Sequence, residues 1–390
     1  VCHNKYQQAG GEDHSADAEI AVLRDHGNEV VVYRRDNDEI KTLTALKKAL
    51  LYFATTWSKK SYEEVKRLCR SHKPDIAHFH NTLPLISPSA YYACKEEHVP
   101  VVQTLRNYRL ICPCGLLMRE GRICEECVSG DFHHALKHRC YHNSYIQTRA
   151  IVRMLKKHRK CETYDKMVDR YVALTEFSRK KFIQGGLPAE KISVKPNFLP
   201  DSPQANHAGD YAIYVGRLSP EKGVDVLIDA WKRLPPFPLR IAGDGPQRTR
   251  LQRLAPSNVE FVGHVEKGEA LNLILHSRFL VFPSIWYETF GRTLIEAFAC
   301  GKPVIASRLG SAAEIVQDKK TGFLFEPGSP DDLAAKARPL IDNPALAVRL
   351  GQNARAEFEE KYTAEKNYEQ LSGIYNSVIE KSLPLCEKIL

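Results

Sequence analysis

The chain has 390 residues, 43% of them apolar and 26% charged, with a formal charge of +9. This balance excludes disordered, collagenous and coiled-coil chains, and the length predicts two compact domains, or three. No apolar run approaches the ~20 residues that cross a bilayer, and eleven cysteines, an odd number in a long chain, do not suggest a disulfide framework.

The opening Val1-Cys2-His3-Asn4 has no charged start before an apolar core, so no secretory leader is expected and the expected compartment is the reducing cytoplasm. Short β-branched segments then alternate with longer helical patterns, as in open parallel sheets with crossover helices. A helix is predicted over 15–26, closed by Gly27, followed by strands over 29–33, 75–79, 99–103 and 170–174. Residues 196–209 are polar, proline-rich and aperiodic, the pattern of a linker. Beyond them come strands over 212–215, 239–242, 259–262, 279–282 and 303–306, with helical character from 363 to the end. The expected architecture is α/β: two doubly wound domains, 1–203 and 204–365, facing each other, with a helical segment 366–390 free to lie back across the junction.

Positive charge is concentrated. Thirteen Lys/Arg against four Asp/Glu fall within 133–181, which accounts for the whole surplus. Arg153, Lys156, Lys157, Arg159 and Lys160 are its densest part, with Tyr141, Tyr145, Tyr164, Tyr171 and Phe182 interleaved. A solvated helix face explains such a run as well as a binding surface does. Of the binding readings, anionic lipid headgroups at the inner face of the plasma membrane, or a phosphate-bearing acceptor, are favoured over nucleic acid.

Three glycine-bearing turns follow predicted strands, where α/β sheets bind ligands. Gly216-Arg217-Leu218-Ser219-Pro220-Glu221-Lys222-Gly223 places a guanidinium and an ammonium close together, a pair suited to adjacent phosphates. In Gly243-Asp244-Gly245 the glycines permit close backbone approach to a bulky ligand. In the third, Glu288 enters a turn, a helix is predicted to start near Gly291, and Glu296 follows inside that helix. A helix start is an anion site, and flanking carboxylates suit hydroxyls. Together they point to a ligand with phosphate at its centre and polyols at both ends, a nucleotide-diphosphate sugar. Capping by Glu288 and plain surface charge at Glu296 explain the spacing equally well.

Glu288 through Glu296, continued by Ala297-Phe298-Ala299-Cys300-Gly301-Lys302-Pro303, resembles the E-x7-E signature of the retaining glycosyltransferases of family 4. The resemblance extends over Gly10-Gly11-Glu12, the strand from Asp75 to Asn81, Arg217 to Gly223 and Gly243 to Pro246. It implies a GT-B fold, two Rossmann-like domains across a central cleft, with the acceptor on the first and the donor mostly on the second. By the same resemblance Arg217 and Lys222 neutralise the departing diphosphate, Glu296 holds the ribose and Glu288 contacts the donor sugar. The amides of Phe290, Gly291 and Arg292 meet its hydroxyls or phosphates, Gly216, Gly243 and Gly245 line the donor, and Gly10-Gly11 reaches over the diphosphate. His80 matches the active-site histidine of that family, while His78 packs at the strand end. Arg106 stands where many members carry histidine, and with Asn107 and Tyr108 it is assigned to the acceptor side, where it suits an anionic acceptor.

The activity this resemblance implies is transfer of a sugar, most readily from a UDP-hexose such as UDP-glucose, to a saccharide or lipid-linked acceptor in bacterial-type polysaccharide or glycoconjugate synthesis. An epimerase of the same architecture and a non-catalytic nucleotide-sugar-binding module are the alternatives. No cofactor and no metal are required. Asp36-Asn37-Asp38 is a D-x-D match, which elsewhere holds a divalent ion, but it lies far from the donor motifs and reads as a polar loop. The insertion at about 111–145 carries Cys112, Cys114, Cys124, Cys127 and Cys140; the C-x2-C spacing of Cys124 and Cys127 permits structural zinc with Cys112 and Cys140, although thiols or a local disulfide are favoured.

Overall fold

The computed structural model describes residues 1–6, 10–206 and 209–382. Two positions of the expected linker, 207 and 208, and the end of the expected C-terminal helix, 383–390, lie outside the described residues. The chain divides into two compact units: Val1–Leu116, Glu125–Lys195 and Asn367–Leu390 form one, and Leu117–Cys124 with Pro196–Lys366 forms the other.

The first unit is built on a six-stranded parallel sheet. Its early strands are β1 (Cys2–Lys5), β2 (Tyr33–Asp36), β3 (Ala77–Phe79) and β4 (Val101–Leu105). Past a short antiparallel pair that belongs to the second unit, β5 (Met118–Arg119) with β6 (Arg122–Ile123), the first sheet resumes with β7 (Arg170–Ala173) and β8 (Ile192–Val194). The sheet order is β2-β1-β3-β4-β7-β8. Every residue of β3 and β4 is buried, as expected where helices cover both faces. From the last helix, Ala364–Ser382, Ile374, Tyr375 and Val378 pack on Val102 and Val172 of this sheet.

The expected strand over 29–33 begins instead at Tyr33. Its ladder is set by β1, with Cys2 opposite Tyr33 and Lys5 opposite Asp36, so Val30 to Val32 precede the paired stretch despite their β-branched side chains.

The second unit carries β9 (Ala212–Val215), β10 (Leu239–Ala242), β11 (Val259–Gly263), β12 (Phe279–Phe282), β13 (Val304–Ser307) and β14 (Gly322–Phe325), all parallel, in the order β11-β10-β9-β12-β13-β14. One core runs beneath it, with Trp231, Leu239, Phe279, Ile305, Phe325 and Leu350 among its buried members. Among the described residues no helix is long and apolar enough to cross a membrane.

Candidate functional site

In the second sheet the strand order reverses between β9 and β12, so the loops leaving these neighbours diverge and open a crevice at their C-terminal ends. The first and third glycine turns of the sequence sit there. Lys222 donates to Glu288 Oε1 at 2.5 Å, joining the loop after β9 to the loop after β12. Ser284 Oγ and Trp286 Nε1 donate to the same oxygen at 3.0 and 2.9 Å, and Ser311 Oγ holds the Glu288 carbonyl at 2.6 Å. The Lys222 ammonium also lies 5.4 Å from the centre of the Trp286 ring. Glu288 is therefore an 8% exposed carboxylate gripped from three sides. Arg217 is exposed, and its carbonyl is held by Tyr214 Oη at 2.9 Å.

The helix expected near Gly291 runs Arg292–Ala299. Gly291 precedes it with φ +86°, where a Cβ would press against Leu294 and Phe282. The first turn carries neither an acidic residue nor a side-chain cap, so its leading amides keep their positive potential. Arg292 Nε and Nη2 are buried with no hydrogen-bond partner among the described residues, and Nε stands 3.2 Å from Glu296 Oε1 in an ion pair. Two buried guanidinium nitrogens with unused donors beside a bare helix start have the chemistry to accept an anion, with Glu296 offsetting part of the charge. Sequence reasoning assigned Arg292 by its amide and missed its side chain; it also missed Ser284, Trp286 and Ser311. Phe290 is 2% exposed and packs edge-on to Tyr362.

The second glycine turn is tight against the chain's own backbone. A Cβ on Gly243 would stand 1.9 Å from Gly216 O, and one on Gly245 2.4 Å from Leu218 O. The close approach is that of the chain's own backbone, which locks the loop after β10 under the loop that carries Arg217.

The first sheet reverses between β1 and β3. Gly10 and Gly11 open the helix Gly11–Asp25 after β1, and His80 follows β3. This helix start is already neutralised: Asp13 accepts from Gly10 N at 3.0 Å, from Tyr6 N at 3.3 Å and pairs with His3 at 2.8 Å.

Behind the crossover lies a buried charge cluster. Glu19 accepts from Lys195 at 2.6 Å and from Arg106 at 2.9 Å, and Arg106 Nε donates to His80 Nδ1 at 3.0 Å. Burial raises the Glu19 pKa, but Lys195 and Arg106 outweigh it and hold the carboxyl at about 2. Burial, reinforced by His78, Arg106 and His3, pushes His80 well below the usual histidine range, so it is neutral and carries its proton on Nε2. His78 is bonded to Tyr375 Oη at 2.6 Å and Thr104 Oγ1 at 2.7 Å, and burial drives it to about 3. Glu19, His78 and His80 have the side-chain types and spacing of a metal site, yet Lys195 and Arg106 already supply its positive charge.

The acceptor-side expectations change here. Arg106 is buried and engaged by Glu19 and His80. Tyr108 is fully buried, stacked on Phe182, because the chain turns inward after β4. Asn107 remains half-buried and donates to Glu12 and Tyr6.

Asp36-Asn37-Asp38 forms a turn: Asp36 accepts from Asp38 N at 2.8 Å, and Asn37 is buried against Asn4. In the cysteine-bearing insertion the sulfurs of Cys112 and Cys114 lie 3.4 Å apart, which brings Cys114 to about 7. Cys127 belongs to an apolar cluster with Phe132 and Leu155, and Cys140 packs against it.

Two parallel-sheet units of this kind define the GT-B class. Residues 10–202 match the family described as Glycosyltransferase Family 4, and residues 197–357 match Glycosyl transferases group 1. The chain belongs to the family 4 type of glycosyltransferase. It is 37% identical over 176 residues to an uncharacterized glycosyltransferase of Methanocaldococcus jannaschii, covering 44% of this chain and 49% of the relative. It is 27% identical over 264 residues to the O-antigen chain mannosyltransferase C of Escherichia coli, covering 62% and 68%. The chain thus aligns with about half the length of the archaeal relative. Among solved structures it is similar to Anabaena HepE in complex with UDP (TM-score 0.66, 20% identity, 96% of this chain and 99% of that one). It is also similar to the sucrose-phosphate synthase of Thermosynechococcus elongatus (TM-score 0.72, 18% identity, 97% and 96%).

Proposed function

We propose that the chain transfers a hexosyl group from a UDP-sugar to a saccharide or lipid-linked acceptor, with retention of anomeric configuration and without a metal ion. The observation that carries this reading is the anion locus at the β9/β12 crossover, where Arg292 has buried donors with no partner next to an uncapped helix start. The HepE structures solved with UDP and with UDP-glucose support the choice of nucleotide.

In this reading the sugar–diphosphate C–O bond breaks, the acceptor oxygen bonds to the same carbon from the same face, and the acceptor proton passes to a diphosphate oxygen. Negative charge grows on the leaving group, so catalysis consists of fixed positive charge at that point. Lys222, Arg217, Arg292 and the helix amides supply it. Donor binding separates Lys222 from Glu288, which frees the ammonium for phosphate and the carboxylate for sugar hydroxyls, while Glu296 takes the ribose. The acceptor is assigned to the first unit, with neutral His80 at its crossover.

Thermal denaturation of the chain with UDP-, GDP- and ADP-sugars tests the reading. A ligand at a hundred times its Kd stabilises the folded state by about 2.7 kcal/mol, so a UDP-sugar is expected to raise the melting temperature visibly. No shift with any nucleotide sugar refutes it. An epimer formed from a UDP-sugar alone points instead to the epimerase.

A further inference from the structure

We propose that helix Ala45–Ala54 and the basic face of helix Tyr145–Lys160 together form a docking surface for an anionic lipid bilayer. The first helix carries three large apolar residues outward: Leu46 is 72% exposed, Leu50 54% and Phe53 56%. Their spacing of four and three residues puts them in one stripe along the helix. Trp57 follows just beyond the end of the helix, 46% exposed. A soluble helix of this composition normally turns such a stripe inward.

The second helix lies beside it. Arg153 sits over the Phe53 and Tyr52 rings, 4.7 and 5.5 Å from their centres, which fixes the two helices to one surface. Arg149, Arg153, Lys156, Lys157 and Lys160 are all exposed, and their spacing gathers them within about a quarter of the helix circumference. Ile146, 69% exposed, continues the apolar stripe at the start of this face. Lys47 and Lys48 add two exposed cations on the first helix, and neither helix contains an acidic residue.

An apolar ridge bordered by cations, on two helices that carry no acidic residue, matches the boundary between acyl chains and anionic headgroups. A nucleic-acid track would use the cations but would leave the leucines unaccounted for, since stacking on bases calls for flat aromatic faces.

The structure also redraws the surface expected from charge alone. Tyr164, Tyr171 and Phe182, interleaved in the basic run, are core residues. Arg159 is bonded to the carbonyls of Leu110 and Gly185, and Lys181 pairs with Glu125. The five exposed cations of 145–160 share one helix face, and its apolar partner lies about a hundred residues upstream.

The surface is read independently of the donor site. If the proposed function also holds, such docking would place the acceptor-side unit where lipid-linked saccharides reside.

Sedimentation with vesicles tests the proposal on the full chain. Binding is expected to vesicles of equal parts phosphatidylcholine and phosphatidylglycerol, with a blue shift of Trp57 fluorescence, and not to phosphatidylcholine alone. Added salt is expected to weaken it, each surface cation being worth about fivefold in partition at low ionic strength. The variant Leu46→Ser/Leu50→Ser/Phe53→Ser is expected to lose at least about a hundredfold in partition while keeping its circular dichroism and melting temperature, since these side chains are exposed. Failure of the parent chain to bind the anionic vesicles overturns the proposal. So does undiminished binding by the folded triple variant, or binding of single-stranded DNA by both proteins while neither binds vesicles.

Discussion

Removing the one anion of the buried cluster is expected to cost far more than removing either of its cations. Glu19 is 2% exposed and faces two buried cations, Lys195 at 2.6 Å and Arg106 at 2.9 Å, while His78 and His80 are neutral. Glu19→Gln leaves Lys195 and Arg106 side by side in the interior with no counter-charge. A carboxyl held at about 2 rather than 4.5 is stabilised as the anion by about 3 kcal/mol. Breaking buried pairs by removing one partner costs about 3–5 kcal/mol; the two figures agree. Lys195→Met is a different case. Lys195 is itself held below its usual range, because burial disfavours its charge more than Glu19 favours it. Its removal leaves the Glu19–Arg106 pair intact and fills the space with an apolar chain of similar volume, a change expected to cost about 1 kcal/mol or less. Urea unfolding of both variants and of Glu19→Gln/Lys195→Met, followed by a probe in the first unit, measures the asymmetry. If Lys195→Met destabilises as much as Glu19→Gln, the cluster is held together by that one pair, and the account of a single shared anion is wrong.

Other consequences are independent of this one. His78 is held at about 3 against 6.5, and His80 is also held well below 6.5, so the unfolded chain binds protons there that the native chain refuses. Their contribution is intact above 6.5 and falls as pH drops toward about 3, by up to about 1.4 kcal/mol per pH unit for each histidine; melting temperature against pH should show it, and His78→Gln should flatten the curve. Gly243→Ala, which drives a Cβ into Gly216 O at a φ of +147°, should destabilise the second unit by about 2 kcal/mol or more, read as a fall in its urea midpoint. Lys222→Ala and Glu288→Ala should each cut sugar transfer about 10²–10³-fold with a small change in melting temperature; unfolding of Lys222→Ala at ambient temperature would show that this lysine is structural. Arg292→Lys keeps the charge and loses the fork, and is expected to weaken nucleotide-sugar binding in a thermal-shift titration.

The second unit was the more legible half because β9 and β12, Ala212-Ile213-Tyr214-Val215 and Phe279-Leu280-Val281-Phe282, are continuous apolar runs that end at Gly216 and Pro283, although β14, which opens on a glycine, was not expected. The loops after β9 and β12 could therefore be assigned to strand ends from sequence. That these two strands are neighbours at a reversal of order is a property of the sheet, and no local signal carries it. The first strand of the chain was invisible for the opposite reason. His3 and Asn4 are buried polar residues with no alternation, held by Asp13 and by Asn37 and Leu85, partners 10 to 81 positions away.

Partners distant in sequence also decide the environment of the strand-end cations. Arg106, taken alone, is a guanidinium after a strand, as Arg217 is, and both follow the C-terminal end of a parallel strand. Their environments separate them: Arg106 meets Glu19, carried on the helix Gly11–Asp25, and is drawn inward, whereas Arg217 stays exposed. A cation's role in a fold of this kind is decided by whether a carboxylate from elsewhere in the chain reaches it before a ligand can. On that criterion Arg292 is the informative residue of the donor unit. Glu296 lies within ion-pair distance yet leaves two buried guanidinium nitrogens without a hydrogen-bond partner. An unmet donor in a buried position is costly, about 1–3 kcal/mol, and this is why the proposed donor site rests on Arg292 and not on a cation that the fold has already paired, as it has Arg106.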